Sequence, residues 1–180
     1  MWPSWRRDLA ALGACLVLGW LGLRGQRVPI LAGADLGFHE LGHLVCYVID
    51  AVLPWPEVLT AAAGSAFQVG VPLGLSLYFA VGRRDHRGAA VCLAWAATAA
   101  ADVARYIADA PYEALPLIGG THDWATVLGP AHLDRLHAAA DVAAAVDRAA
   151  LALFGLAVLV AVSPAILAPR PSRAAGPAAV

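Results

Sequence analysis

The chain of 180 residues contains no lysine and no asparagine, so all twelve of its basic residues are arginine. Only 14% of the residues are charged, against about a quarter in a typical soluble domain. A formal net charge of −1 lacks the basic excess of a nucleic-acid-binding face, so we expect no nucleic-acid partner. Hydrophobic residues make up 61% of the chain and the mean hydropathy is +0.69, which predicts a protein embedded in a lipid bilayer.

The cysteines are also few. Cys15, Cys46 and Cys92 are odd in number and each lies in an apolar run, which argues against a disulfide framework. We interpret them as small buried hydrophobic residues. Cys46 carries one alternative, because it follows His43 by three residues and a helix would bring it close enough to approach a metal.

Long apolar runs are what the sequence has in abundance. A helix needs about 20 mostly apolar residues to cross a bilayer core, and five stretches reach or approach that length. They cover residues 9–23, 28–53, 59–81, 88–108 and 149–168. The expected fold is therefore all-α, a single polytopic transmembrane helix bundle of about five spans within residues 1–168. The expected location is a cell membrane, the bacterial inner membrane, crossed several times.

Residues 109–148 connect the fourth and fifth spans. Their second part, Ala131–Arg148, places aspartates on one face of a helix and leucines on another, which predicts an amphipathic helix lying at the membrane interface. Residues 169–180 are rich in Pro, Ala and Arg and are expected to form a disordered tail.

The arginines give a weaker indication of orientation. Five alternating spans would place seven of them on one face and four on the other, and the positive-inside rule then favours a cytoplasmic C-terminus. The larger group is Arg24, Arg27, Arg83, Arg84, Arg87, Arg170 and Arg173, and the smaller is Arg6, Arg7, Arg135 and Arg148.

The second stretch contains the sequence His39-Glu40-Leu41-Gly42-His43. Residues four apart lie on the same face of a helix, so His39 and His43 present two imidazoles to one point. Neutral imidazole is a good zinc ligand, and Glu40 can act as general base toward the water that zinc activates. The alternative is a polar cluster that packs helices together without metal. Since ionisable residues inside a membrane are costly, we favour a functional site.

A catalytic zinc site needs a third protein ligand. His122-Asp123, in a Gly-rich loop expected to return toward the membrane, supplies the favoured candidates, and the choice between them stays open. Asp102 is the next candidate. It belongs to a polar stripe of the fourth span, in which Asp102, Tyr106 and Asp109 follow the i, i+4, i+7 spacing of one helix face.

Two pairs of glycines have the spacing of close helix contacts. They are Gly33-x-x-x-Gly37 and Gly70-x-x-x-Gly74, and both predict tight packing around the site.

With these residues the chain resembles the site-2-protease class of intramembrane zinc metalloproteases. The likeness rests on the His-Glu-x-x-His motif, on Ala63-Gly64-Ser65-Ala66-Phe67-Gln68 in the next span, and on the turn at Asp123. It covers roughly residues 28 to 128. The chain departs from the family pattern in three places: Gln68 replaces an asparagine, Ser65 replaces a proline, and no glycine follows Asp123.

The resemblance implies a membrane-embedded zinc metalloprotease that hydrolyses a peptide bond in or near the bilayer. His39, His43 and either His122 or Asp123 would hold Zn²⁺. Glu40 would act as general base, and Gln68 would donate a hydrogen bond to the developing oxyanion. The substrate would be a membrane protein or peptide. Two alternatives remain, a zinc-dependent hydrolase of lipid amides or esters and a non-catalytic membrane scaffold or transporter with a structural polar stripe.

Overall fold

The computed structural model describes residues 4–26, 28–117 and 120–167. The expected all-α fold is confirmed, since every regular element in these ranges is helical. The predicted tail, residues 169–180, lies outside the described residues. The elements are α1 (Ser4–Leu23), α2 (Pro29–Asp50), α3 (Glu57–Leu77) with a π-helical turn (Tyr78–Gly82), α4 (His86–Asp109), α5 (Asp123–Leu128), a 3₁₀ turn (Leu136–Ala138) and α6 (Ala139–Leu167).

Local signals in the sequence explain where several helices begin and end. Pro29 occupies the start of α2, where its missing N–H costs no hydrogen bond. The sequence Pro54-Trp55-Pro56 separates α2 from α3, because a proline cannot continue a helix. Asp85 caps α4 by accepting a hydrogen bond from the N–H of Arg87 at 3.0 Å. These signals fix α2 and α3 as neighbours joined by a short turn.

Helix α4 lies at the centre of the bundle. Its small side chains are mostly buried, and α6, α3 and α1 pack on different sides of it. The small alanine side chains let neighbouring helix backbones approach α4 closely. α2 stands at the edge, packed mainly on α3, and its outer face exposes Leu36, Leu44 and Tyr47.

Side-chain contacts give the direction of each helix. Near the start of α4, Asp8 of α1 pairs with Arg87, and farther along Gly22 packs against Thr98, so α1 runs parallel to α4. Ser76 of α3 donates to the carbonyl of Ala89 at 2.9 Å, again near the start of α4. Since Ser76 lies at the end of α3, this helix runs antiparallel to α4.

Further contacts give the directions of the two remaining long helices. His43 and His39 of α2 contact Thr60 and Gln68 of α3 respectively, so α2 runs antiparallel to α3. α6 runs antiparallel to α4, because its first residues pack near Ile107 and its later residues near Ala90. α1, α2 and α4 therefore point one way, and α3 and α6 point the other.

This order differs from the expected five alternating spans. Five spans would put Asp8 and Arg87 on opposite membrane faces, whereas their side chains lie 2.7 Å apart. Three stretches of the described chain are long and apolar enough to cross a membrane, namely Glu57–Gly82, His86–Asp109 and Leu136–Ser163. α1 carries Arg6, Arg7 and Asp8 in its first turns, and α2 carries the polar residues of the motif.

Two further expectations are not confirmed. The amphipathic segment Ala131–Arg148 is not a separate interfacial helix, because residues 139–148 are the first turns of α6 and continue into its apolar part without a break. The four glycines of the two spaced pairs make no close helix contact, since a methyl group built on each would meet nothing within 4 Å. The tight contact between α2 and α3 instead involves Gly42, which faces the backbone of Ala63 and Gly64.

Candidate metal centre

Three potential ligands converge between α2 and the start of α5. The carboxylate oxygen Oδ2 of Asp123 lies 2.9 Å from Nε2 of His39 and 3.3 Å from Nε2 of His43. The i, i+4 spacing on α2 aligns the two imidazoles, whose ring centroids are 4.8 Å apart. Among the described residues, these three form the only group of His, Cys, Asp or Glu side chains compact enough to hold a metal ion.

The donor set fits zinc. Atoms bound at about 2.0–2.1 Å to a tetrahedral zinc are themselves about 3.3 Å apart, close to the separations from Asp123 Oδ2. Two imidazoles and one carboxylate also match the three protein ligands that a catalytic zinc site uses, leaving one position open. The three side chains are only partly buried, with 12%, 13% and 15% of their surface exposed, so a ligand can reach them.

A glycine forms the floor of this site. Gly64 of α3 is buried opposite both histidines, and a methyl group built on it would lie 2.5 Å from Nε2 of His39 and 2.6 Å from Nε2 of His43. Any side chain at this position would occupy the space next to the two ligand atoms. Gly64 thus leaves a space beside the two nitrogens that a side chain would fill, and we call this space the cradle.

Both imidazoles are oriented from behind. Nδ1 of His43 donates to the backbone carbonyl of Thr60 at 2.9 Å, and Nδ1 of His39 donates to Oε1 of Gln68 at 3.3 Å. A proton held on Nδ1 leaves the lone pair of Nε2 free to bind a metal. Each histidine therefore presents Nδ1 to an oxygen acceptor, as the tautomer that binds a metal through Nε2 requires.

Gln68 is buried and takes part in a longer chain of polar contacts. Its amide nitrogen lies 3.4 Å from Oδ2 of Asp102, whose other oxygen accepts from Arg105 at 2.8 Å. The resemblance implied that Gln68 faces a developing oxyanion, but its oxygen faces His39 and its nitrogen faces Asp102. In this position Gln68 can orient the candidate ligand His39. Asp102 holds Gln68 and does not belong to the compact group of possible ligands.

Tyr106 supports the third ligand. Its hydroxyl donates to Oδ2 of Asp123 at 3.3 Å and accepts from the backbone N–H of the same residue at 3.0 Å. One hydroxyl thus restrains both the side chain and the backbone of Asp123. The sequence predicts that Tyr106 lies on the polar stripe of α4 but gives it no role, because spacing alone does not reveal which loop returns to that face.

His122 lies next to the site but is not one of the converging donors. Its Nδ1 accepts from the backbone N–H of Ala125 at 3.2 Å and so caps α5. Its Nε2 is buried and faces Asp109, with 3.4 Å between that nitrogen and Oδ2 of the carboxylate. The ring stacks on Tyr106 with 4.2 Å between centroids. Of the two candidates for third ligand, the geometry brings Asp123 to the histidines and uses His122 to hold the helix that carries it.

The remaining predicted residues lie around this centre. Glu40 follows His39 on α2 and its side chain is exposed on the flank of the site. Cys46 is buried on the same helix but does not belong to the compact group of ligand atoms. Ser65 stands where the family that the chain resembles has proline. Its hydroxyl accepts a hydrogen bond from Nε1 of Trp124 at 3.0 Å and so links α3 to α5.

Comparison with known proteins gives no further assignment. A scan against protein-family models, a search of curated proteins and a search of solved structures each found no match to this chain.

Proposed function

We propose that this protein is a membrane-embedded zinc metalloprotease that hydrolyses a peptide bond in or near the bilayer. The observation that carries the proposal is the convergence of Asp123 Oδ2 on the Nε2 atoms of His39 and His43, opposite the cradle of Gly64. The proposed location, a bacterial inner membrane crossed several times, is supported by the three helices of membrane-spanning length and composition.

The proposed roles follow from position. His39, His43 and Asp123 hold the ion, and zinc bound there supplies Lewis-acid activation of water and of the substrate carbonyl. Glu40, exposed beside His39, takes the proton of the attacking water and delivers it to the leaving amine. Gln68 and the Thr60 carbonyl keep the two imidazoles in the tautomer that binds metal.

A direct experiment measures metal content and activity separately. Purified full-length protein should contain about one zinc per chain, as three protein ligands imply. Glu40→Gln should keep the zinc and lose hydrolysis by a factor of about 10² to 10⁴, the usual contribution of general acid–base catalysis. Substrates would be transmembrane and juxtamembrane peptides presented in detergent or in lipid vesicles.

The outcomes separate the competing readings. A protein without stoichiometric zinc, together with a Glu40→Gln variant that behaves as wild type in cells, would contradict both enzymatic functions and favour a scaffold or transporter. Zinc-dependent turnover of lipid amides or esters without turnover of peptides would replace the protease with a lipid hydrolase that uses the same residues.

A further inference from the structure

Consecutive helices α1 and α2 run in the same direction, which limits how they can cross a membrane. α1 is parallel to α4 through the Asp8–Arg87 ion pair, and α2 is parallel to α4 because both are antiparallel to α3. If each crossed fully, the chain between them would have to return across the whole bilayer. The five residues from Arg24 to Val28 reach at most about 18 Å when extended, whereas the hydrocarbon core is about 30 Å thick.

We infer that α1 and α2 account for a single crossing, made by α1, which packs along α4 from Asp8 beside Arg87 to Gly25 beside Arg105. We further infer that the metal centre on α2 acts on peptide bonds lying near the membrane face at which α2 ends. The second half of this inference rests on the proposed function; the first does not. With α3, α4 and α6, α1 makes four crossings. The start of α1, the turn before α4 and the end of α6 then share one face.

The break between α1 and α2 lies near the end of α4, since a methyl group built on Gly25 would lie 2.7 Å from the guanidinium of Arg105. Gly25 adopts the left-handed backbone conformation (φ 66°) that turns the chain after α1. A cavity beside the break is lined by Gln26, Asp35, Thr98, Asp102 and Arg105.

The charges differ between the two faces. The face shared by the start of α1 and the turn before α4 carries five arginines and two aspartates, and we call it the arginine-rich face. The arginines are Arg6, Arg7, Arg83, Arg84 and Arg87. At the opposite end, residues 50–57 and 109–148 carry eight acidic residues and two arginines, and we call it the acidic face. The positive-inside rule makes the arginine-rich face cytoplasmic.

The metal centre lies close to the acidic face. His43 contacts Thr60, three residues after the first residue of α3, which corresponds to about 5 Å along a helix. Asp102, the partner of Gln68, precedes the end of α4 by seven residues, or about 10 Å. Asp123 arrives in the loop that follows α4 at this end. A bond positioned at these ligands is therefore at the edge of the hydrocarbon core, where a membrane-protein substrate leaves the bilayer on the non-cytoplasmic side.

Cysteine labelling in intact cells tests the topology. Single cysteines are introduced at exposed positions of the full-length chain, Ser4→Cys, Leu53→Cys, Arg84→Cys and Glu113→Cys, and treated with a membrane-impermeant maleimide before and after permeabilisation. The unmodified chain supplies the blank, since Cys15 and Cys46 are buried and Cys92 is partly buried.

Four crossings predict that residues 53 and 113 are labelled from outside, while residues 4 and 84 are labelled only after permeabilisation. Five alternating crossings would put residue 4 on the same face as residues 53 and 113. Labelling of residues 4 and 53 from one face would therefore overturn the inference, whatever the metal content of the protein.

Paramagnetic relaxation tests the depth of the site. Co²⁺ is bound to the purified protein in vesicles that contain lipids spin-labelled either near the headgroup or near the end of the acyl chain. The inference predicts several-fold stronger relaxation of the headgroup label. Stronger relaxation of the chain-end label would overturn the assignment of a bond near the surface. If Co²⁺ does not bind, the zinc function and its substrate fail together, and labelling alone still decides the topology.

Discussion

Two helices carry polar stripes, and the residues of the two stripes are placed differently around the candidate metal centre. On α2, His39 and His43 point their Nε2 atoms at a common position. On α4, Asp102 and Tyr106 have the spacing of one helix face but do not converge. Instead, Asp102 contacts Gln68 behind His39, and Tyr106 contacts Asp123. One stripe supplies donors and the other holds donors in place.

The difference shows why spacing alone does not define a ligand. Residues of both stripes are polar, partly buried and regularly spaced, yet a ligand also needs a third group facing it and empty space between them. α2 has both, because Asp123 returns from the loop after α4 and Gly64 has no side chain. Substitutions in the two stripes should therefore differ in their effect on metal binding.

The largest effect is expected from removing a donor of the α2 stripe. His43→Ala leaves only His39 and Asp123, too few protein ligands for a stable zinc site, so zinc content should fall from about one per chain to nearly none. The matched control is His132→Ala, since His132 lies outside the site near Glu57. Elemental mass spectrometry of the two purified variants measures the zinc content of each. Equal zinc in the two variants would contradict the role of the α2 stripe.

A smaller but still large effect is expected from filling the cradle. In Gly64→Ala the new methyl group would press on both Nε2 atoms, so zinc affinity should fall about tenfold or more, the scale on which disturbed ligand positions act. Overpacking would also lower the free energy of unfolding by about 1–3 kcal/mol. Gly70→Ala, on the same helix but facing open space, should keep wild-type affinity. Competition titration with a zinc chelator measures the zinc affinity of the two variants. Equal affinities would show that the space at Gly64 is not needed for zinc binding.

Weakening the α4 stripe should reduce metal affinity without abolishing it. Tyr106→Phe removes the hydroxyl that restrains Asp123, and a loss of roughly 10–100-fold is the usual result for a group that orients a ligand. Asp102→Asn acts through Gln68 and should lose less. Tyr112→Phe is the control, because Tyr112 is 78% exposed. Loss of all zinc in Tyr106→Phe would mean that the two stripes are not distinct in role.

The smallest effect concerns the ion pair between α1 and α4, far from both stripes. The hydrogen bond from Arg87 lowers the pKa of Asp8 below its ordinary value of 3.8. A carboxyl group whose pKa is lowered by folding stabilises the folded state above pH 3.8, and that stability is lost as the pH falls through the lower pKa. Asp8→Asn should therefore cost about 1 kcal/mol or less near neutral pH.

The measurement is an unfolding titration of both proteins at several pH values. The stability difference between wild type and Asp8→Asn should shrink as the pH drops below 4. Metal content should be the same in both at neutral pH. A difference in stability that does not change with pH would show that the ion pair contributes nothing.

Much of the α2 stripe could be predicted from the sequence because it depends on local geometry. A helix over residues 28–53 was predicted and the structure has α2 at Pro29–Asp50, so the four-residue spacing of His39 and His43 places them together. The third ligand could not be chosen in advance. His122 and Asp123 are neighbours, and the choice depends on which one caps α5 and which one faces the bundle.

Hydropathy alone could not predict the direction in which each helix runs. Apolar length indicates which segments suit a bilayer, but it does not show that α1 and α2 run the same way, which follows from the contacts of Asp8 and Gly22 with α4. Likewise, the contact of Gly42 with α3 could not be read from a glycine repeat. It depends on which helix faces lie together, and Gly33 and Gly37 lie on the exposed side of α2.

X-ray absorption spectroscopy at the zinc edge of the purified protein tests most directly whether His39, His43 and Asp123 form a zinc site. The proposed site should show two imidazole nitrogens and one carboxylate oxygen at about 2.0–2.2 Å from zinc, with no sulfur ligand. Absence of zinc would contradict the proposed site, and so would a sulfur ligand, supplied by Cys46, at about 2.3 Å from the zinc.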